Sequence, residues 1–166
     1  NDTIKLQSDL QGAANDIVRT TARLARLTAQ LAGAKTITFP SALNARDPTV
    51  AAIMAQEKAI FAAQQNELSR QTAALTDLGS LFKAEIDALD EKGKAIDDEI
   101  TQAQQQLDGV RALVAKGVVV LSRQTDLERS LSGLRADRLD NVIATMSARQ
   151  GLSESTRNLA KVEDDS

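Results

Sequence analysis

The most informative part of the sequence is residues 75–120, which read LTDLGSLFKAEIDALDEKGKAIDDEITQAQQQLDGVRALVAKGVVV. Apolar or small residues recur there at alternating spacings of four and three: Leu75, Gly79, Phe82, Ile86, Leu89, Gly93, Ile96, Ile100, Ala103, Leu107, Val110 and Val114. This seven-residue repeat is typical of a coiled-coil seam, along which one helix packs against another. Since no Pro occurs in residues 49–115, the pattern predicts one long helix over about 49–115.

The repeat stops at Lys116 and Gly117, which three Val residues follow. A Gly before β-branched residues is unfavourable inside a helix and typical of a tight connection. We therefore predict a turn over 116–121 and a third helix over about 122–162, with Ser122 as its N-terminal cap. A short turn makes this helix run antiparallel to the long one. Its expected seam residues are Leu127, Leu131, Leu134, Leu139, Val142, Met146, Leu152, Leu159 and Val162.

A separate heptad stripe lies near the beginning of the chain. Leu10, Ile17, Leu24 and Leu31 are seven residues apart, and Leu6 and Leu27 fill the second seam position, which predicts a helix over about 3–33. Residues 34–48 contain both prolines and several poor helix formers, and we predict a loop there. We expect the first helix to fold back onto residues 49–74, so that both chain termini meet near Leu75.

The predicted fold is all-α: an elongated antiparallel coiled-coil hairpin, with one long central helix flanked by two shorter helices lying end to end. The composition agrees, because 42% of the residues are hydrophobic but only 2% are aromatic, which suits a narrow helix seam better than a deep core. We treat residues 1–166 as a single hairpin domain. Because the sequence begins in mid-pattern, we expect this domain to be part of a larger protein.

The sequence offers no constellation of residues for catalysis. It contains no His and no Cys, which excludes metal sites built on nitrogen or sulfur ligands and leaves a Ser nucleophile without its usual base. The acidic residues near Asp90 and Asp97 alternate with lysines, as on a solvated helix face. We predict no catalytic residue, no metal site and no cofactor, and hence no enzyme. A net charge of -3 without clustered Lys and Arg argues against nucleic acid as a partner.

The apolar connection between the second and third helices is the candidate contact surface. Val118, Val119, Val120 and Leu121 lie where a hairpin has little core to bury them. Exposed apolar residues at such a point indicate a binding surface. The alternative is that they fold down over the last heptad as a hydrophobic plug.

Residues 110–129, VRALVAKGVVVLSRQTDLER, resemble the hairpin tip of periplasmic adaptor (membrane fusion) proteins, which include haemolysin-type secretion adaptors and tripartite efflux adaptors. The tip pattern of that family is Arg, then Leu four residues on, then Ser seven residues later. Here Arg111 and Ser122 match, whereas Ala115 stands at the middle position. The resemblance implies contact with an outer-membrane channel or an exporter component. The implied contact residues are Arg111, Ala115, Lys116, Gly117, Val118, Val119, Val120 and Ser122.

A second resemblance is to coiled-coil-bearing periplasmic proteins of exopolysaccharide export. Residues 24–40 and 56–61 resemble both this group and the secretion adaptors. Three further segments favour the polysaccharide group: Ser122-Arg-Gln, Arg138-Leu-Asp140 and Ala148-Arg-Gln150. Both families imply a periplasmic location and a ring-forming homo-oligomer. They also imply an inner-membrane transporter as partner, reached through the rest of the parent protein.

These observations favour a non-enzymatic periplasmic hairpin that bridges an inner-membrane exporter toward the outer membrane. Polysaccharide is the preferred cargo. One alternative is the hairpin of a type I secretion or efflux adaptor. Others are a generic spacer or dimerisation coiled coil, and a binding module whose second helix offers a groove to another protein's helix.

Overall fold

A computed structural model of the protein describes residues 1–165, which form three helices in the order α1 (Asp2–Leu31), α2 (Pro48–Ala115) and α3 (Leu121–Asp164). No strand occurs in this part of the chain. The structure confirms the predicted all-α hairpin, with a long central helix and two shorter flanking ones. The internal contacts divide it into two compact units. Unit 1 contains Asn1–Ala73 with residues from Ala160 onward, and unit 2 contains Ala74–Leu159.

Unit 2 is the antiparallel pair formed by α2 and α3. All the α2 positions of the predicted repeat from Leu75 to Val114 are buried or half-buried, and Leu107 is only 1% exposed. On α3 the seam follows the same alternation of three and four: Gln124, Leu127, Leu131, Leu134, Arg138, Asn141, Thr145, Ala148, Leu152, Ser155 and Leu159. Several of these residues are polar and make hydrogen bonds in the seam. Asn141 Nδ2 donates to the Leu89 carbonyl oxygen at 2.9 Å, and Ser155 Oγ donates to the Leu75 carbonyl oxygen at 3.0 Å.

The prediction that Leu139, Val142 and Met146 belong to the α3 seam is wrong. Their side chains are exposed, because Asn141, Thr145 and Ala148 occupy the positions that face α2. Helices α2 and α3 approach closely where the residues that face each other are polar or small. A Cβ added at Gly93 would lie 2.7 Å from Asn141 Oδ1, so the absence of a side chain there permits the contact.

Unit 1 is built on a parallel contact between α1 and the beginning of α2. Arg26 forms a buried ion pair with Glu57, and Gln65 Nε2 donates to the Ala34 carbonyl oxygen at 3.0 Å, so both sequences run in the same direction along this contact. The connection between the helices returns along α1 and contributes Leu43 to a small core with Ala22, Val50 and Ile53. Asp47 Oδ1 accepts a hydrogen bond from the Thr49 N–H at 2.9 Å and caps α2.

The expectation that the chain termini meet near Leu75 is wrong, because a long connection does not force antiparallel packing as a tight turn does. The segment after Leu31 is long enough to run back along α1 before α2 begins. It is the C-terminal end of α1 that approaches the end of α3, where Leu27, Leu31 and Val162 line one cleft. The first residues of α1 therefore point away from that cleft.

The leucine stripe of α1 does not form its seam with α2, contrary to the prediction. Leu10, Ile17 and Leu24 are exposed, while Ala22 and Ala29 are buried and Val18 packs against the small core. Helix α1 thus has two apolar faces, and the small residues lie against α2. Among the described residues, no helix is long and apolar enough to cross a membrane.

Candidate functional site

The connection between α2 and α3 is a tight turn built around Gly117. This residue has a φ of +74°, a left-handed backbone conformation in which a Cβ is unfavourable. The Gly117 N–H donates to the Val114 carbonyl oxygen at 3.0 Å, and the Val118 N–H donates to the Leu113 carbonyl oxygen at 3.0 Å. This pair of bonds is the Schellman motif, which satisfies the last carbonyl groups of a helix. The turn is therefore fixed by the backbone rather than by a surrounding core.

The turn presents apolar side chains to solvent. Val118 is 69% exposed and Val120 is 71% exposed, and Leu121 also lies largely outside the seam. Only Val119 is half-buried. A plug folded over the last heptad would have buried most of these side chains, so the exposure favours the contact-surface interpretation.

Positive charges flank this apolar surface. Lys116 is exposed before it and Arg123 is exposed after it, and neither forms an ion pair within residues 1–165. The unpaired cations favour a partner that offers acidic groups around an apolar crevice. We call residues 115–122 the α2–α3 turn surface.

Arg111 lies on the flank of the hairpin rather than at its end. Its Nη2 is 3.2 Å from Oε1 of Glu128 on α3, and its Nη1 is 3.9 Å from Oδ1 of Asp108. Glu128 also accepts a hydrogen bond from Gln124 Nε2 at 2.9 Å. The Gln124 and Arg111 hydrogen bonds hold the pKa of the Glu128 carboxyl below its usual value. Because Arg111 is about half exposed, its guanidinium can still reach another molecule.

Ser122 is exposed, but it is not the N-terminal cap of α3. The helix begins one residue earlier at Leu121, and the Arg123 N–H bonds to the Val120 carbonyl oxygen at 3.1 Å. The prediction of a Ser122 cap is therefore wrong. Its hydroxyl lies in the first helical turn, on the surface.

The structure thus brings together most of the predicted contact residues. Five of them lie within residues 115–120 and are exposed: Ala115, Lys116, Gly117, Val118 and Val120. Arg111, in contrast, lies apart from them on α2. The sequence analysis missed Glu128 as the partner of Arg111. With the turn placed near residue 118, counting away from it along the two antiparallel helices puts Arg111 opposite Glu128. The sequence therefore contains enough information to predict this pair.

The α2–α3 turn surface combines three features that suit a contact surface. Within residues 1–165, no group of carboxylates is arranged to hold a metal ion. The features at the turn are a fixed backbone, exposed apolar side chains and unpaired positive charge, which suit contact with another macromolecule.

A comparison with protein families gives one match over almost the whole chain. Residues 6–166 match the family described as AprE, long alpha-helical hairpin.

Two individual proteins are similar to this chain. The type I secretion system membrane fusion protein PrsE of Rhizobium meliloti (strain 1021) is 27% identical over 146 residues, which cover 87% of this chain and 33% of PrsE. The chain therefore spans about a third of the curated relative's length. The crystal structure of the soluble domain of LipC, a membrane fusion protein of a type I secretion system, superimposes with a TM-score of 0.87 at 18% identity. That superposition covers 99% of this chain and 78% of LipC.

Proposed function

The chain belongs to the AprE family of long α-helical hairpins, and we propose that it is the hairpin of a periplasmic membrane fusion protein in a type I secretion system. In this role it is a non-enzymatic adaptor between an inner-membrane transporter and an outer-membrane channel. The proposal rests on the match over residues 6–166 and on the similarity to PrsE and LipC.

The names of both relatives concern type I secretion. They favour the secretion-adaptor alternative of the sequence analysis over polysaccharide export. Residues 24–40 and 56–61 resemble both families, so they do not distinguish secretion from polysaccharide export. The preference for polysaccharide cargo is therefore not supported, and the type I secretion adaptor fits better.

We propose that the α2–α3 turn surface is the point of contact with the outer-membrane channel. The observation that carries this assignment is the exposure of Val118 and Val120 on a turn that Gly117 holds in one conformation. A pre-organised apolar surface loses little conformational entropy on binding, which favours affinity. Lys116 and Arg123 would add attraction to an acidic rim on the channel.

The experiment is a secretion assay with substitutions in the intact adaptor. We expect Val118→Ser together with Val120→Ser to lower the amount of secreted cargo at least tenfold while the cellular level of the adaptor is unchanged. The matched control is Leu139→Ser with Ile143→Ser, because these α3 residues are similarly exposed but far from the turn in sequence. We expect the control to secrete normally.

Two outcomes would contradict the proposal. Unchanged secretion by the turn variant would remove the docking role and favour a spacer coiled coil without tip recognition. Equal loss in the turn and control variants would mean that any polar substitution on the hairpin impairs the adaptor.

A further inference from the structure

Unit 2 has two flanks, one on each side of the seam between α2 and α3. On one flank, polar side chains reach across from helix to helix, and we call it the ion-pair flank. Its cross-helix contacts are Arg111 with Glu128, Arg135 with Gln104, and Arg138 with Asp97. Except for Arg138, which is itself a seam residue, each of these residues directly follows a seam residue. That is one of the two positions beside a coiled-coil seam.

The opposite side of the seam, which we call the open flank, carries charged side chains without a partner. They are Glu85, Lys92 and Glu99 on α2 and Asp137 on α3, and all four are exposed. None of them forms an ion pair in the part of the chain that the structure describes. Each directly precedes a seam residue, so it lies on the side away from the ion-pair flank. These charges are available to another molecule.

The lowest charged level of unit 2 lies beside Gly151, which faces the ring of Phe82. Because α3 is antiparallel to α2, Arg149 lies just above this contact. The ion-pair flank carries Lys83 and Arg149 at this level, and the open flank carries Glu85. The two flanks of the lowest level therefore have opposite charges.

The signs are reversed at the middle level, seven residues further along α2. Asn141 marks this level, because its side chain bonds to the carbonyl group of the residue before Asp90. The ion-pair flank carries Asp90 here, with Val142 beside it, which is 41% exposed. The open flank carries Lys92, with the half-buried Ala144 beside it. A negative charge on one flank thus corresponds to a positive charge on the other.

The upper level repeats the signs of the lowest one. Arg138 and Asp97 neutralise each other there through hydrogen bonds of 2.8 and 3.1 Å. Arg135 is exposed and forms no ion pair within residues 1–165, so it leaves the ion-pair flank positive. Glu99 and Asp137 make the open flank negative.

We propose that the ion-pair flank of one chain binds the open flank of a second copy, with the two hairpins parallel and at the same height. Each of the three levels then sets opposite charges against each other. At the middle level, Val142 also packs against the partner's Ala144. Charge complementarity of this kind selects the partner and the register of a contact more than it adds affinity.

The alternation of signs fixes the relative height of the two copies. Successive levels are seven residues apart on α2, which is about 10 Å. A displacement by one level in either direction would set like charges against each other. Two copies joined through the same flank, in either direction, would also bring like charges together. The contact is therefore between different flanks and without displacement along the hairpin.

The direction of the second copy is chosen by the position of its turn. A reversed copy, centred on the middle level, would also set opposite charges together. The parallel copy places every α2–α3 turn surface at the same end, and this choice rests on the proposed function. A contact between different surfaces that repeats by rotation without displacement closes into a ring.

The first test is crosslinking in cells that make two kinds of intact adaptor chain together. One chain carries Arg135→Cys and the other Glu99→Cys, in an adaptor otherwise free of Cys, and a short bismaleimide joins neighbouring thiols. We expect a crosslinked product from the mixture and none from either chain alone. A product from one kind of chain alone would show a contact through a single flank and overturn the proposal.

The direction is tested by a different combination, Arg135→Cys with Glu85→Cys. Glu85 lies 14 residues before Glu99, about 21 Å away along α2, so the parallel contact predicts no product here. A product from this combination in place of the first would show a reversed partner and contradict the proposal. The lowest level supplies a second matched combination, Arg149→Cys with Glu85→Cys, which should also react. Absence of product from both matched combinations would overturn the pairing of the flanks.

A charge exchange at the middle level tests the register. Lys92→Glu sets two carboxylates against each other and should lower the yield of the crosslinked product about fivefold, since one attraction becomes one repulsion. Adding Asp90→Lys to the same chain should restore the yield. The matched control is Arg157→Glu, an exposed charge reversal on the outer face of α3, which should leave the yield unchanged. A yield that Asp90→Lys does not restore would contradict the equal height of the two chains.

The last measurement separates this contact from docking at the turn. We expect Val118→Ser with Val120→Ser to leave the crosslinked product unchanged, because both residues lie outside the flanks. Secretion by that variant reports on docking, whereas the crosslinked product reports on the neighbouring copy. Loss of the product in the turn variant would show that docking holds the copies together and would contradict a contact made by the flanks.

Discussion

The guanidinium of Arg111 lies 3.2 Å from the Glu128 carboxylate, which ties the last turns of α2 to the first turns of α3 close to the α2–α3 turn surface. The same carboxylate oxygen accepts a hydrogen bond from Gln124. Together these contacts set the register of the two helices at the point where the proposed docking surface begins. The turn is thereby supported from its flank as well as by its own backbone bonds.

The first prediction concerns the pH dependence of this contact. The hydrogen bonds from Gln124 and Arg111 lower the pKa of Glu128 below its usual value of 4.5. A lowered folded-state pKa contributes stability that is fully present above the unfolded-state value and is lost as the pH falls through the folded-state value. Glu128→Gln should therefore lower the melting temperature slightly at pH 7, and this difference should shrink as the pH falls below 4.5.

Circular dichroism melting of both proteins between pH 3 and pH 7 checks this expectation. The control is Glu154→Gln, which removes an exposed carboxylate of α3 that makes no ion pair within the described residues. A difference between Glu128→Gln and the unsubstituted chain that grows toward low pH would contradict the prediction.

A second prediction concerns the buried ion pair between Arg26 and Glu57. Both side chains are only 10% exposed, so removal of one leaves the other charge without its partner away from water. Glu57→Leu should lower the free energy of unfolding of unit 1 by about 3 kcal/mol. Substitution of both residues by Leu should recover most of that loss, because no uncompensated charge remains.

Hydrogen exchange of the α1 amides under native conditions measures this local stability. Glu67→Leu is the matched control, because Glu67 pairs with Arg70 on the surface of α2 and an exposed pair contributes little. If the double variant is as unstable as Glu57→Leu alone, the loss is due to packing rather than to the unpaired charge.

The third prediction uses two glycines of α3 with opposite surroundings. A Cβ at Gly151 would collide with the ring of Phe82, whereas a Cβ at Gly133 would meet no atom within 4 Å. Gly133→Ala should stabilise the hairpin by up to about 1 kcal/mol through helix propensity. Gly151→Ala gains the same propensity but forces two helices apart, and should destabilise by about 1–2 kcal/mol. Urea denaturation of both variants distinguishes them, and stabilisation by Gly151→Ala would show that the seam relaxes at no cost.

The sequence predicts the α2 seam position by position, because α2 uses apolar or small residues at almost every heptad position. The resemblance to periplasmic adaptor proteins is likewise confirmed by the family match. The hydrophobic pattern does not predict the seam of α3, because Arg138, Asn141 and Ser155 occupy it with polar side chains. A hydrophobic pattern alone therefore assigns Leu139, Val142 and Met146 to the α3 seam, although their side chains are exposed.

Helix α1 shows a different limit of pattern analysis. Its strongest apolar repeat faces away from α2. The residues that pack against α2 include Ala22 and Ala29, which contribute little to a hydrophobic pattern because their side chains are small. Its parallel direction depends on the path of the connection after Leu31, and no local propensity encodes that path. For the candidate site, the position of the turn at Gly117 could be predicted, while the pairing of Arg111 with Glu128 required the register of the hairpin.

The most direct test of the docking proposal is photo-crosslinking in cells that secrete through the intact system. A photoreactive residue is placed at Val118, at the exposed turn, and in a separate strain at Leu139, on the outer face of α3. The account predicts a covalent product with the outer-membrane channel from position 118 and none from position 139. A channel product from position 139 only, or no channel product from position 118 in secreting cells, would contradict the assignment of the α2–α3 turn surface as the docking site.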